Sequence, residues 1–115
     1  MGLIVRPSDL DAWRARRLLL RLADDLRSHG WTTDPRMSEF PPMLRVRAPE
    51  LASIGDTVTA VRHLDGWWFR TSGGRNFAHA TDTASAASAI DAYLRPWLDA
   101  ALAYDARVVP MKRQR

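Results

Sequence analysis

The groups with the most chemical reach in this chain are arginine, tryptophan and histidine, and they meet in Arg62-His-Leu-Asp-Gly-Trp-Trp-Phe-Arg70. Aromatic faces stack on nucleobases, and guanidinium groups pair with phosphate or carboxylate oxygens. Trp68 beside Arg45, Arg47, Arg62, Arg70 and Arg75 is therefore a candidate stacking surface for nucleic acid. Tryptophan and arginine also anchor protein–protein interfaces, so the same residues serve a second class of partner. The three histidines, His29, His63 and His79, do not suggest a metal centre. His63 and His79 fall on strands expected to flank residues 67–71 on opposite sides, about 10 Å apart across two strand spacings, too far to share one ion. The nearest carboxylates, Asp65 and Asp82, sit at a turn and a helix cap.

Other chemistries find still less support. With no cysteine there is no disulfide, zinc thiolate or thiol nucleophile. Ser72-Gly73-Gly74 is followed by strand-forming residues rather than a helix, and the single lysine is residue 112, so it reads as a hairpin turn and not a phosphate loop. No carboxylates pair as general acid and base: Asp24-Asp25 lies on a helix end, and Glu39 and Glu50 lie in loops. No Gly-x-Ser-x-Gly elbow occurs. The expectation is a non-enzymatic protein with no catalytic residue, cofactor or metal.

Charge needs to be located before it is used. Residues 1–106 contain thirteen Arg and thirteen acids, a formal sum of zero; the net +4 comes from Arg107, Lys112, Arg113 and Arg115. A polyanion-binding face needs clustered positive charge, and this sum offers the body no surplus. The basic stretch 107–115 reads as a disordered, solubilising tail, or as a phosphate-binding arm. Leu18-Leu19-Leu20 is far short of a membrane span and no signal peptide is evident, so a cytoplasmic protein with no membrane partner is expected.

The elements that must position these groups follow from periodicity. Residues 9–28 read as a helix, capped by Ser8 with Asp11 three positions on. Its apolar face carries Ala12, Ala15, Leu18, Leu19, Leu22, Ala23 and Leu26. Arg14, Arg17 and Arg21 lie opposite, with Asp24 and Asp25 within reach of Arg21, and Gly30 closes the helix. Residues 31–42 form a connector, in which Trp31 and Thr33 make at most a short strand because Pro35, Pro41 and Pro42 intervene. Met43–Arg47 alternates, with Leu44 and Val46 inward. Strands 57–63 and 67–71 flank Asp65-Gly66, a pair suited to a type I′ turn, and a short strand follows near 76–80. A second helix starts near Ala84 behind a Thr81 or Asp82 cap, with Ala87, Ile90, Leu94, Trp97, Leu98 and Ala101 on its apolar face. Pro96 should kink it, or stop it near Arg95 and restart it with Pro96 in the first turn.

One α+β domain over residues 1–106 results: a two-layer α-β-β-β(-β)-α arrangement, antiparallel, with both helices on one sheet face. With a two-residue turn, Val58, Ala60, Trp67 and Phe69 share one face of the hairpin and Val61, His63, Trp68 and Arg70 the other. A one-residue bulge in the turn would regroup the pairs. Both faces carry large apolar groups, while the helices can cover only one. The second face is then covered by the connector or the last helical segment, buried in a homodimer or partner interface, or open to nucleic acid.

The element order matches double-stranded RNA-binding domains, but those place cations at the start of the second helix, and Thr81-Asp-Thr-Ala-Ser-Ala-Ala-Ser88 has none. The stretch Thr57-Val-Thr, Asp65-Gly-Trp-Trp-Phe69, Gly73-Gly74 and Ala80-Thr-Asp82, with the Ala-rich helix Ala84–Leu94, resembles small helix-sheet-helix proteins common in actinobacteria. That resemblance, over roughly residues 10–94, implies the fold and no activity. The reading that follows is an interaction domain that self-associates or binds a protein through Val61, His63, Trp68 and Arg70, or through Trp97 and Tyr104 of the last helix. The alternative is nucleic-acid contact through Arg45, Arg47, Arg75, Lys112, Arg113 and Arg115.

Overall fold

The chain was described from a computed structural model covering residues 7–74 and 76–113, with side chains over 10–74 and 76–104. Helix α1 (Pro7–Ser28) is followed by five strands, β1 (Thr32–Arg36), β2 (Met43–Arg47), β3 (Gly55–His63), β4 (Gly66–Arg70) and β5 (Asn76–His79), and then by helix α2 (Thr83–Arg113). The strands pair in chain order as one antiparallel sheet, and both helices pack on the same face of it. The layer order and the single covered face are those the hydrophobic pattern requires.

The core lies between that face and the helices. Leu19, Leu22 and Leu26 of α1 and Ile90, Leu94 and Leu98 of α2 are buried against Leu44, Val46, Val58 and Phe69. Each strand contributes alternate residues, so the other half of every strand is left on the open face. Helix α1 ends in a Schellman motif, in which the Trp31 and Gly30 amides donate to the carbonyls of Leu26 and Arg27 while Gly30 takes φ 91°. Asp82 caps α2, accepting from the Ser85 amide at 3.1 Å and the Ser85 hydroxyl at 2.7 Å. Those hydrogen bonds hold the Asp82 carboxyl below its ordinary value.

Several local expectations need correction. Ser8 lies within α1 rather than capping it. Asp24 pairs with Arg27, not Arg21, and Asp25 accepts from the Thr83 hydroxyl at 2.6 Å, tying α1 to the start of α2. The connector supplies a full strand, β1, with Pro35 inside it; as an edge strand it has a free side on which a missing N–H costs nothing. The hairpin loop is Leu64-Asp65, because His63 pairs with Gly66. Of Leu64, Asp65 and Gly66 only Gly66 has positive φ, at 118°, which is the pattern of a type I turn followed by a glycine bulge. The register differs by two residues from that of a two-residue Asp65-Gly66 loop, and a shift of two leaves every side chain on its expected face.

Helix α2 neither stops at Arg95 nor restarts: it runs through Pro96. Trp97 does not share the apolar face but stands 65% exposed. The helix assignment extends across 107–113, the stretch read as a tail, and side chains from 105 onward lie outside the described residues. A polar cluster joins the two helices where α1 ends. Trp31 Nε1 donates to Asp91 Oδ1 at 2.8 Å, and Arg95 donates to the same oxygen and, at 3.0 Å, to the His29 carbonyl. The Arg95 guanidinium lies over the Trp31 ring, 4.9 Å from its centroid.

Strand β2 is shorter than β3. Met43 pairs with Thr59, so Ala60–His63 pair with β4 on one side and with no described strand on the other. That unpaired side borders a recess of about 340 Å³ lined by Phe40, Pro41, Ala12 and Trp67.

Candidate functional site

The open face of the sheet is the candidate site. The register stacks its side chains in cross-strand rows: Asp34, Arg45 and Thr57; Arg36, Met43, Thr59, Arg70 and Asn76; Val61, Trp68 and His79. The structure thus brings together Val61, His63, Trp68 and Arg70 with Arg45 and Arg47, as expected, and adds Arg36 and His79 to the same face. Arg62 is not part of it. It points to the helix side, and its Nη1 donates to Asp11 Oδ1 at 3.1 Å. Trp97 and Tyr104 stand exposed on α2, away from this face. Arg75, Lys112, Arg113 and Arg115 have side chains outside the described residues.

Trp68 is half-buried, with His79 and Asp65 against its indole. The His79 ring lies against the indole with centroids 3.7 Å apart and planes at 32°. On the other side of the hairpin, Asp65 accepts from Trp68 Nε1 at 3.1 Å. That bond is the main reason the Asp65 carboxyl sits below its ordinary value. Arg70 donates to Asn76 Oδ1 at 3.0 Å, and Asn76 Nδ2 lies 3.0 Å from His63 Nε2. His63 and His79 are thus separately engaged, and no group of three or more His, Cys, Asp or Glu side chains among the described residues is placed to hold a metal.

The electrostatics differ from what the neutral sum over 1–106 suggests. Asp34 is the one carboxylate in those rows, and it is taken by Arg36 at 3.0 Å. Among the described residues, Arg45, Arg47 and Arg70 have no ion pair. Asp56, at the start of β3, borders the same recess as Arg45 and Arg47 without forming an ion pair with either. The remaining carboxylates lie on the helices, in loops and at the hairpin tip. What this face presents to a partner is guanidinium groups beside one aromatic ring pair.

Sequence reasoning missed a second surface. Leu10, Trp13, Phe40 and Leu64 are exposed, Phe40 to 86% and Trp13 to 50%. They rim two adjoining recesses of about 480 and 340 Å³ that share Asp11, Arg62 and Trp67. The signal was present: Leu10 and Trp13 lie three apart and off the α1 core stripe, and Leu64 is a leucine at a hairpin tip. No protein-family model matches the chain, and no curated protein or solved structure does either.

Proposed function

We propose that this chain is a non-enzymatic binding module whose partner, a single-stranded nucleic acid, lies across the open face of the sheet. The observation that carries this reading is the trio Arg45, Arg47 and Arg70, standing on one face without ion-pair partners among the described residues. Guanidinium groups track a phosphate backbone, and the Trp68–His79 pair offers a ring surface for a base. A single strand fits better than a duplex because no helix start presents cations to a groove.

The test is fluorescence anisotropy of a labelled oligonucleotide. Three phosphate contacts give a log–log salt slope of about −2, so a fourfold rise in salt weakens binding roughly tenfold to twentyfold. Trp68→Glu and Arg70→Gln should each weaken binding while leaving the circular dichroism spectrum unchanged, since neither residue belongs to the core. Absence of binding at low salt overturns the reading, as does binding with no salt dependence. Poly-glutamate binding as tightly as the oligonucleotide would reassign the partner to an acidic protein.

The exposed rim of Leu10, Trp13, Phe40 and Leu64 favours a second reading, self-association or docking of an apolar protein segment, with Trp97 and Tyr104 as further contacts. Light scattering separates the two readings. A dimer held by this rim persists in high salt and dissociates in Leu64→Asp, whereas binding through the arginines does the reverse.

A further inference from the structure

We infer that the open face contains a discrete oxyanion site for one phosphate group, built around Arg47 at the end of the sheet opposite the hairpin tip. The site is a recess of about 180 Å³ lined by Arg45, Arg47, Ser53, Gly55, Thr57 and Ser72. Pockets for whole small molecules begin near about 300 Å³, so this one accommodates a single group rather than a base or a sugar with it.

Three observations converge on its chemistry. Arg47 Nε is a buried donor with no hydrogen-bond partner among the described residues. Folded proteins leave few such donors unsatisfied, because an unpaired buried polar group costs a large part of its hydration. Arg45 and Arg47 lie two apart on β2, so they share a face and stand about 7 Å apart along the strand. That spacing lets two guanidinium groups close on one tetrahedral anion. The hydroxyls of Ser53, Thr57 and Ser72 supply further donors, more than a planar carboxylate has oxygens to use. Asp56 also borders the recess, but its Oδ1 accepts from the Thr57 amide at 2.7 Å and the Ser72 amide at 3.1 Å. It therefore fixes the β3 start against the β4–β5 turn and so shapes the wall.

Gly55 is the structural condition for the site. It pairs with Arg47 across the β2–β3 ladder, and a Cβ at this position would collide with the Val46 carbonyl oxygen. A side chain would push β3 off β2 and spread the recess.

This inference deepens the nucleic-acid reading and rests on it only for the source of the phosphate. The experiment is a ¹⁵N NMR titration of the full chain with inorganic phosphate, chloride being adjusted to hold ionic strength constant. The expected result is saturable shifts at the Ser53, Gly55, Thr57 and Ser72 amides. Arg47→Met should weaken binding about tenfold or more, the scale of a lost charge-assisted hydrogen bond. Arg45→Gln, at an exposed position, should weaken it in the same direction and guards against a folding defect in Arg47→Met. Arg62→Gln, on the opposite face, should leave it unchanged. Shifts that do not saturate, or that persist in Arg47→Met, overturn the site.

Competition then fixes the source. Displacement of phosphate by a 5′-phosphorylated oligonucleotide but not by its 5′-hydroxyl counterpart places a strand end in the recess. Displacement by both places a backbone phosphate there. If phosphate saturates the site and neither oligonucleotide displaces it, the site stands with a free phosphate ester as ligand, and the nucleic-acid reading fails. If oligonucleotide binds while phosphate shifts nothing, the site fails and the reading stands.

Discussion

Asp91 shows how one residue can carry a tertiary link. Burial works against its ionisation, but the hydrogen bonds from Arg95 and Trp31 outweigh that and hold its carboxyl below the ordinary 3.8. A carboxyl lowered by folding stabilises the native state above its unfolded value, and the contribution is lost as pH falls through the folded one. Asp91→Asn should therefore lower stability to urea at neutral pH by about 1–3 kcal/mol, since Trp31 Nε1 and Arg95 lose a charged acceptor. The gap between variant and wild type should narrow as the titration is carried below the ordinary carboxylate value. None of this was legible locally. Trp31 looked like the first residue of a connector, and its partner lies 60 positions away. By contrast Leu19, Leu22 and Ile90 announced themselves as core, because a buried stripe repeats along one helix and needs no distant partner to be seen. Phe69 did not, since both faces of its hairpin carry large apolar groups.

At the scale of elements, regular pattern was readable and exceptions to it were not. β2 follows from strict alternation and the two faces of the hairpin from a period of two, so both survive the misplaced turn. β1 was underestimated because Pro35 argues against a central strand; that it is an edge strand is decided by the order of the whole sheet. Gly66→Ala should cost roughly 1–2 kcal/mol, since an L residue resists the φ of 118° found there. Pro96 poses the opposite case, a proline that fails to end its helix. Pro96→Ala should return a donor to the Ala92 carbonyl and raise thermal stability, by up to about 3 kcal/mol. A lower melting temperature in that variant would mean that α2 bends at Pro96 to meet the sheet.

Over the whole molecule, the lesson concerns charge. A sum over the chain is blind to where the fold sends each side chain. The balanced total of residues 1–106 conceals a face on which Arg45, Arg47 and Arg70 have no ion pair among the described residues. Placement on β2 and β4 could be read from alternation. Which carboxylates would stand near them could not, because that depends on α1 and the loops packing on the opposite side. The two readings of function make opposite demands on the molecule: salt should strip a nucleic acid from the sheet and leave a dimer on the apolar rim intact. Sedimentation velocity at low and high salt, with and without oligonucleotide, resolves them on one sample.

The overhang of β3 beyond β2 gives the sheet two tempos of amide exchange within a single strand. Gly55–Thr59 pair with β2 and Thr59–His63 with β4, so among the described strands only Thr59 has a neighbour on both sides, and its amide should be among the slowest in the strand. From Ala60 to His63 only β4 remains, so alternate amides, those turned toward the Phe40 recess, should exchange with deuterium far sooner than the ones between them. Uniform protection along β3 would mean that another stretch of chain, from this molecule or a second copy, completes the missing rung.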